Sequence, residues 1–137
     1  MTNELRMVAV YKDKDNYVSL VCGKLDKVTT DCQLYEAMGY NLDSCIITND
    51  KDIYIRSKLK ARVLELREYT KMIEAYEKEH DLSDLMCQLT LKLMREHEET
   101  IMRQVSICVT RCLLRDIEVT DELAIQCYNF RREERGF

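Results

Sequence analysis

The chain has 137 residues, of which 46% are hydrophobic and 34% are charged, and its formal net charge is −4. This length predicts one domain, mainly β over residues 1–56 and helical over residues 57–137. The acidic balance argues against a protein that works mainly by nonspecific attraction to nucleic acid or anionic membranes. The sequence has no proline and three glycines, which favours long helices because few positions would end one.

The cysteines and the N-terminus indicate a reducing compartment. Seven cysteines occur at irregular spacing, a pattern more typical of small buried side chains than of a disulfide framework. The apolar residues 7–11 are too few for a signal-peptide core. No apolar run approaches the ~20 residues that span a bilayer. We therefore expect an intracellular protein, cytoplasmic or nuclear, without a membrane partner.

The first 56 residues carry strand signals around one helix. Residues 7–11 and 17–22 are rich in β-branched and aromatic side chains, and the polar residues 12–16 between them predict an antiparallel hairpin. A short helix is expected from Asp31 to Met38, capped by Thr30 and ended by Gly39. A second hairpin is expected to join residues 45–48 to residues 53–55 through residues 49–52.

From Ser57 onward the apolar residues recur at steps of three and four, which is helical spacing. One helix should end near His80. The next has a cap at Asp81 or Ser83 and no breaker before Arg115, but its polar residues 95–100 leave open a kink or an exit from the core. A last helix is expected to start at Thr120. The predicted fold class is α+β, with N-terminal antiparallel hairpins around a short helix and a three-helix C-terminal half that contains one long helix.

The long helix carries the predicted partner surface. Its apolar stripe extends from Leu82 through Met86 and Leu89 to Cys112, further than a chain of this size can easily cover. An open stripe would be a patch that monomers avoid, so self-association through this helix is expected, and Ile101→Asp should dissociate the oligomer. The residues assigned to the partner surface are Leu93, His97, Ile101, Val105, Cys108 and Cys112.

Chemistry-bearing motifs are missing from the sequence. It has two histidines, no glycine-rich phosphate loop, no G-x-S-x-G and no H-E-x-x-H, so neither an enzyme nor a cofactor is predicted. Cys108 and Cys112 share one helix face, but two ligands do not make a zinc site. A symmetric dimer would supply four thiolates, whereas core packing is the simpler interpretation, and no metal is predicted.

The arginines suggest a different partner. Every basic residue after Lys92 is an arginine, a side chain that suits phosphate recognition and protein interfaces. Pairing of Arg95 and Arg103 with Glu99 along one helix is the competing explanation. The alternative function is a nucleic-acid-binding regulator that uses arginines of the last two helices. Its residues are Arg103, Arg111, Arg115, Arg131 and Arg132.

Taken together, these patterns favour a non-catalytic protein-interaction module, acting as an assembly subunit, an adaptor or an inhibitor. Its partner is expected to be a second copy of the chain, giving a homodimer or a higher oligomer, or a different protein. The long C-terminal helices would carry the contact.

Overall fold

A computed structural model describes residues 4–134, and its elements confirm the α+β class. Three strands form an antiparallel sheet in the order β2-β1-β3, and a short helix and three further helices complete the chain. The elements are β1 (Arg6–Lys12), β2 (Val18–Lys24), α1 (Leu25–Ala37), β3 (Asn41–Thr48), α2 (Lys51–Glu79), α3 (Leu85–Leu114) and α4 (Glu122–Glu134).

The hairpin of β1 and β2 forms as predicted. One carboxylate oxygen of Asp13 accepts hydrogen bonds from the backbone N–H groups of Asp15 and Tyr17, each at 2.9 Å. Asn16 takes a left-handed backbone conformation with φ of 63°, which asparagine tolerates better than most residues. The polar residues between the two strands therefore fold the tight turn that joins them.

The predicted second hairpin is wrong. Strand β3 pairs with β1 instead, and residues 53–55 belong to the first turns of α2. The Asp50 side chain accepts from the N–H groups of Asp52 and Ile53 at 2.8 and 3.2 Å, so it caps a helix. The β-branched residues that follow have only a weak intrinsic preference against helix, which this cap and their packing override.

Helix α1 begins six residues earlier than predicted. Lys24 occupies its N-cap, and within residues 4–134 the Lys24 side chain makes no capping hydrogen bond. Thr30 lies inside the helix, so the predicted capping box does not form. Gly39, with φ of +88°, stands just after the helix, and this part of the prediction is confirmed.

Helices pack on both faces of the sheet at its central strand, β1. Met7, Ala9 and Tyr11 of β1 pack on one face against Val28 of α1. On the other face, Val8 and Val10 pack against Ala61 of α2. The opposite side of α2 packs against α3 and α4, so α2 lies between the sheet and the last two helices.

Helices α2 and α3 have 29 and 30 residues, so the chain has two long helices rather than the one predicted. Helix α3 is continuous through its polar residues 95–100, where the sequence alone leaves a kink open, and is about 45 Å long. Its N-cap is Asp84 rather than Asp81 or Ser83. Helix α4 likewise starts after Asp121, whose carboxylate accepts from the N–H of Leu123, rather than at Thr120.

Candidate interaction surface on the helical arm

Helices α2 and α3 form an antiparallel pair whose two halves have different surroundings. In the proximal half, Leu59, Val63 and Leu66 of α2 pack against the C-terminal part of α3, and α4 covers both helices. Helix α4 lies along the pair, and its Arg131 meets the Glu99 carboxylate. We call the distal half, residues 70–98, the arm. In the described part of the chain, none of residues 70–98 belongs to the apolar core that α4 shares with α2 and α3.

The arm is held together by few contacts. Ile73 is its one buried apolar side chain among the described residues. The Thr70 hydroxyl donates to the Glu98 carboxylate at 2.8 Å, and Arg95 forms an ion pair with Glu77. Hydrogen bonds and an ion pair at partly exposed positions contribute modestly to stability. The arm therefore depends on its helices and on these polar links more than on a core.

The base of the arm contains a small aromatic cluster. The ring of His97 lies 4.8 Å from the ring of Tyr69 in an edge-to-face arrangement. Its Nε2 atom lies 3.4 Å from the hydroxyl oxygen of Tyr17, in the turn of the first hairpin. These contacts tie α2 and α3 to the sheet. They give His97, one of the predicted partner residues, a role inside the chain, although part of the side chain is exposed.

One face of the arm is apolar and open. These apolar side chains belong to α3, where spacings of three and four residues bring them onto one side of the helix. Leu93 is 65% exposed, and the exposures of the other members of this face lie between 47% and 69%. We call this face the arm stripe. It consists of Leu85, Met86, Leu89 and Leu93.

The structure corrects most of the predicted partner surface. Ile101, Val105, Cys108 and Cys112 are buried against α2 and α4 of the same chain. They therefore cannot contact a partner while the chain is folded, and Ile101→Asp would disrupt the core rather than dissociate an oligomer. Leu93 alone of the predicted apolar residues lies on an open face. The stripe seen in the sequence is real, but its C-terminal half is core and its N-terminal half is surface.

The five arginines of the alternative function do not form one basic face. Arg103 and Arg131 both bind Glu99, at 3.0 and 3.4 Å. Arg115 is paired with Asp52 at 2.6 Å. These side chains therefore already have carboxylate partners within the chain.

The other two arginines add little to a basic surface. The guanidinium of Arg132 lies 5.7 Å from the centre of the Tyr128 ring, a cation–π distance. Arg111 is exposed on α3. A nucleic-acid surface would need its arginines side by side and available to phosphates, and this arrangement does not favour that function.

The thiols of Cys108 and Cys112 lie in the core, and burial raises the pKa of each. A raised pKa keeps a thiol neutral, whereas a zinc ligand must be a thiolate. Because both side chains are covered by this chain, a dimer cannot bring four such thiolates together. Within residues 4–134, no group of three or more His, Cys, Asp or Glu side chains has an arrangement that could hold a metal ion.

Among the described residues, no helix combines the length and the apolar content needed to cross a membrane. Comparison of the chain with models of protein families, with curated proteins and with solved structures finds no match.

Proposed function

We propose that the chain is a non-catalytic assembly subunit that associates with a second copy of itself through the arm stripe. The observation that carries the proposal is the arm stripe itself. It places four large apolar side chains on one exposed face of α3, outside the core that α4 shares with the helix pair. Soluble monomers rarely leave a contiguous patch of this kind in water.

The geometry of the arm suits a helical partner. An apolar stripe with spacings of three and four residues packs best against another helix of the same character. Two arms side by side would form a four-helix bundle. The short core of one arm, centred on Ile73, would then gain a second layer. A second copy of the chain supplies such a stripe without any further assumption about a foreign sequence.

The charges beside the stripe favour an antiparallel pair. Asp81 and Asp84 lie at its N-terminal end, and Lys92 lies towards its C-terminal end. In an antiparallel pair centred on Leu89, the positions of Lys92 in one copy and Asp84 in the other are only about 3 Å apart along the helix axis. A parallel pair would place equal charges at the same level, which is unfavourable.

The cysteines support an intracellular, reducing compartment, cytoplasmic or nuclear, as the place where the subunit works. All seven lie in the described part of the chain as free thiols. Cys45 is exposed, and Cys22, Cys32 and Cys87 are half-buried. Accessible thiols of this kind persist where glutathione and thioredoxin keep them reduced.

The test is the mass of the protein in solution, measured by light scattering on a sizing column under reducing conditions. We expect the wild type to exceed the 16.3 kDa of one chain. Leu93→Asp should lower that mass, because it places a charge in the contact. It should leave the helix content unchanged, because Leu93 faces water in the single chain.

Leu114→Asp is the matched control, since Leu114 is on the same helix and is also exposed but lies outside the arm. This variant should keep the wild-type mass. A wild type of 16.3 kDa at every concentration would overturn the proposal and leave a different protein as the partner. A Leu93→Asp variant that keeps the wild-type mass would also overturn it.

A further inference from the structure

Strand β3 is an edge strand that remains open on both of its faces. In the three-stranded sheet it lies on the far side of β1 from β2. Ile46, whose partner in β1 is Val8, faces α2, and Ile47, whose partner is Met7, faces the side of α1. Their exposures are 40% and 51%. By contrast, the β2 edge contains the buried residues Val18 and Val21.

The outer edge of β3 is suited to pairing with another strand. Alternate residues of an edge strand direct their N–H and C=O groups away from the sheet, and proteins usually protect such an edge with lysine or proline. Strand β3 has neither residue. Its one charge, Asp43, is paired with Lys12 of β1 at 3.7 Å. The bulge between Val10 and Tyr11 falls opposite Asp43, so residues 44–48 keep regular strand pairing.

A cavity beside this edge would accept an apolar side chain. It has a volume of about 260 Å³ and lies between the sheet and α2. Val8 and Ile46 line it on the sheet side, and Ala61 and Leu64 line it on the helix side. A strand added next to β3 would direct alternate side chains towards α2, at the mouth of this cavity.

We propose that β3 pairs in antiparallel fashion with β3 of a second copy, so that two sheets join into one of six strands. A pair with twofold symmetry centred on Ile46 places this residue opposite the same residue of the second copy, beside the cavity. It also places Cys45 opposite Ile47 on the other face. Apolar cross-strand pairs of this kind stabilise a sheet. Because Asp43 is already neutralised by Lys12, an identical strand approaches without charge repulsion.

This pairing is independent of the arm stripe. The arm stripe and the β3 edge would each form a separate contact with its own twofold axis, because each surface meets the same surface of another copy. A chain with two such contacts assembles beyond a dimer. The loss of one contact would therefore leave dimers, and the loss of both would leave single chains.

Disulfide trapping tests the proposed register directly. Ile46→Cys in a Cys45→Ser background would place two thiols across the twofold axis. Residues directly opposite in an antiparallel pair have Cα atoms about 4.5 to 5.5 Å apart, within the range of about 4.4 to 6.8 Å that a disulfide needs. Mild oxidation should convert most of this variant to a covalent dimer that reductant separates.

Ser19→Cys in the same background is the control, since it places the new thiol on β2, the other edge of the sheet. It should remain uncrosslinked. A variant with cysteine at position 46 that gives no more dimer than this control would overturn the proposal.

The mass in solution gives a second, separate test. Ile47→Lys places on β3 the charge that natural edge strands use to prevent pairing, and it should lower the mass of the wild-type assembly. Combined with Leu93→Asp, it should give single chains of 16.3 kDa. If only Leu93→Asp lowers the mass, the edge proposal fails and the function proposed for the arm stands. If only Ile47→Lys lowers it, the arm proposal fails and the edge proposal stands.

Discussion

The proximal and distal halves of the α2–α3 pair are built from the same two helices, yet one half is core and the other is surface. On α3, Ile101 is 3% exposed and Leu93, two turns earlier, is 65% exposed. The two side chains have similar size and polarity. They differ in direction, because eight residues along a helix turn the side chain by about 80°. Ile101 packs in the core with α2, whereas Leu93 lies on a face of α3 where Arg111 is also exposed, at a level where α4 packs on α3. Whether an apolar helical residue is buried thus depends on which neighbouring element its face of the helix meets.

The sharpest test of this comparison replaces both residues in the same way. Ile101→Ala should lower the free energy of unfolding by about 2 to 5 kcal/mol, because it removes buried methyl groups and leaves a cavity. Leu93→Ala should change it by no more than about 0.5 kcal/mol, since the side chain faces water and alanine is a good helix former. Urea unfolding at protein concentrations low enough to separate the copies would measure both. Equal losses would mean that the two halves of the pair do not differ as described.

A second test uses the thiol of Cys127, which lies on the buried side of α4 and packs in the core of the proximal half. Burial, with Asp121 and Glu98 nearby, raises the pKa of Cys127 from 9.0 to about 11. The unfolded chain therefore loses this proton at a lower pH than the folded chain. The resulting stability is fully present below pH 9 and is lost as the pH rises towards about 11, by about 2 to 3 kcal/mol in total.

The measurement is the midpoint of urea unfolding at a series of pH values between 8 and 11 under reducing conditions. Cys127→Ala should reduce the dependence on pH compared with the wild type. It should not abolish it, because burial also raises the pKa of Cys108 and Cys112. Identical dependence in the two proteins would show that the Cys127 thiol is not in a desolvated core.

The comparison also explains which parts of the structure the sequence could predict. The first hairpin and the end of α2 near His80 follow from local signals, namely turn residues and helical spacing, and the structure confirms them. Helical spacing on α3 leaves open whether its polar residues 95–100 break the helix, and the structure shows one continuous helix. The turn-like residues 49–52 predict a hairpin in which residues 53–55 would be a strand. In the structure these residues are helical, because Asp50 caps α2 and the helix packs against the sheet.

The candidate site was predictable only in part, for the same reason. The spacing of the apolar residues on α3 was visible along its whole length, from Leu82 to Cys112. Local spacing shows that a helix has an apolar face but not which element covers it. Which residues of that stripe become core depends on how α3 packs against α2 and α4, which joins residues distant in the sequence. The same is true of β3, whose place at the edge follows from its pairing with β1.

The smallest expected effect concerns the two helix caps at opposite ends of the pair. Asp50 starts α2 in the proximal half and Asp84 starts α3 in the arm, and each carboxylate accepts a backbone N–H bond at 2.8 Å. Asp50→Ala should lower the global free energy of unfolding by about 1 kcal/mol. Asp84→Ala removes a similar bond, but it should mainly speed hydrogen exchange in the first turns of α3, because a region with few buried contacts opens locally. The contrary result would be that Asp84→Ala lowers protection from hydrogen exchange throughout the core as much as Asp50→Ala does. That result would mean that the arm unfolds together with the proximal half and that its exposed stripe is not a separable surface.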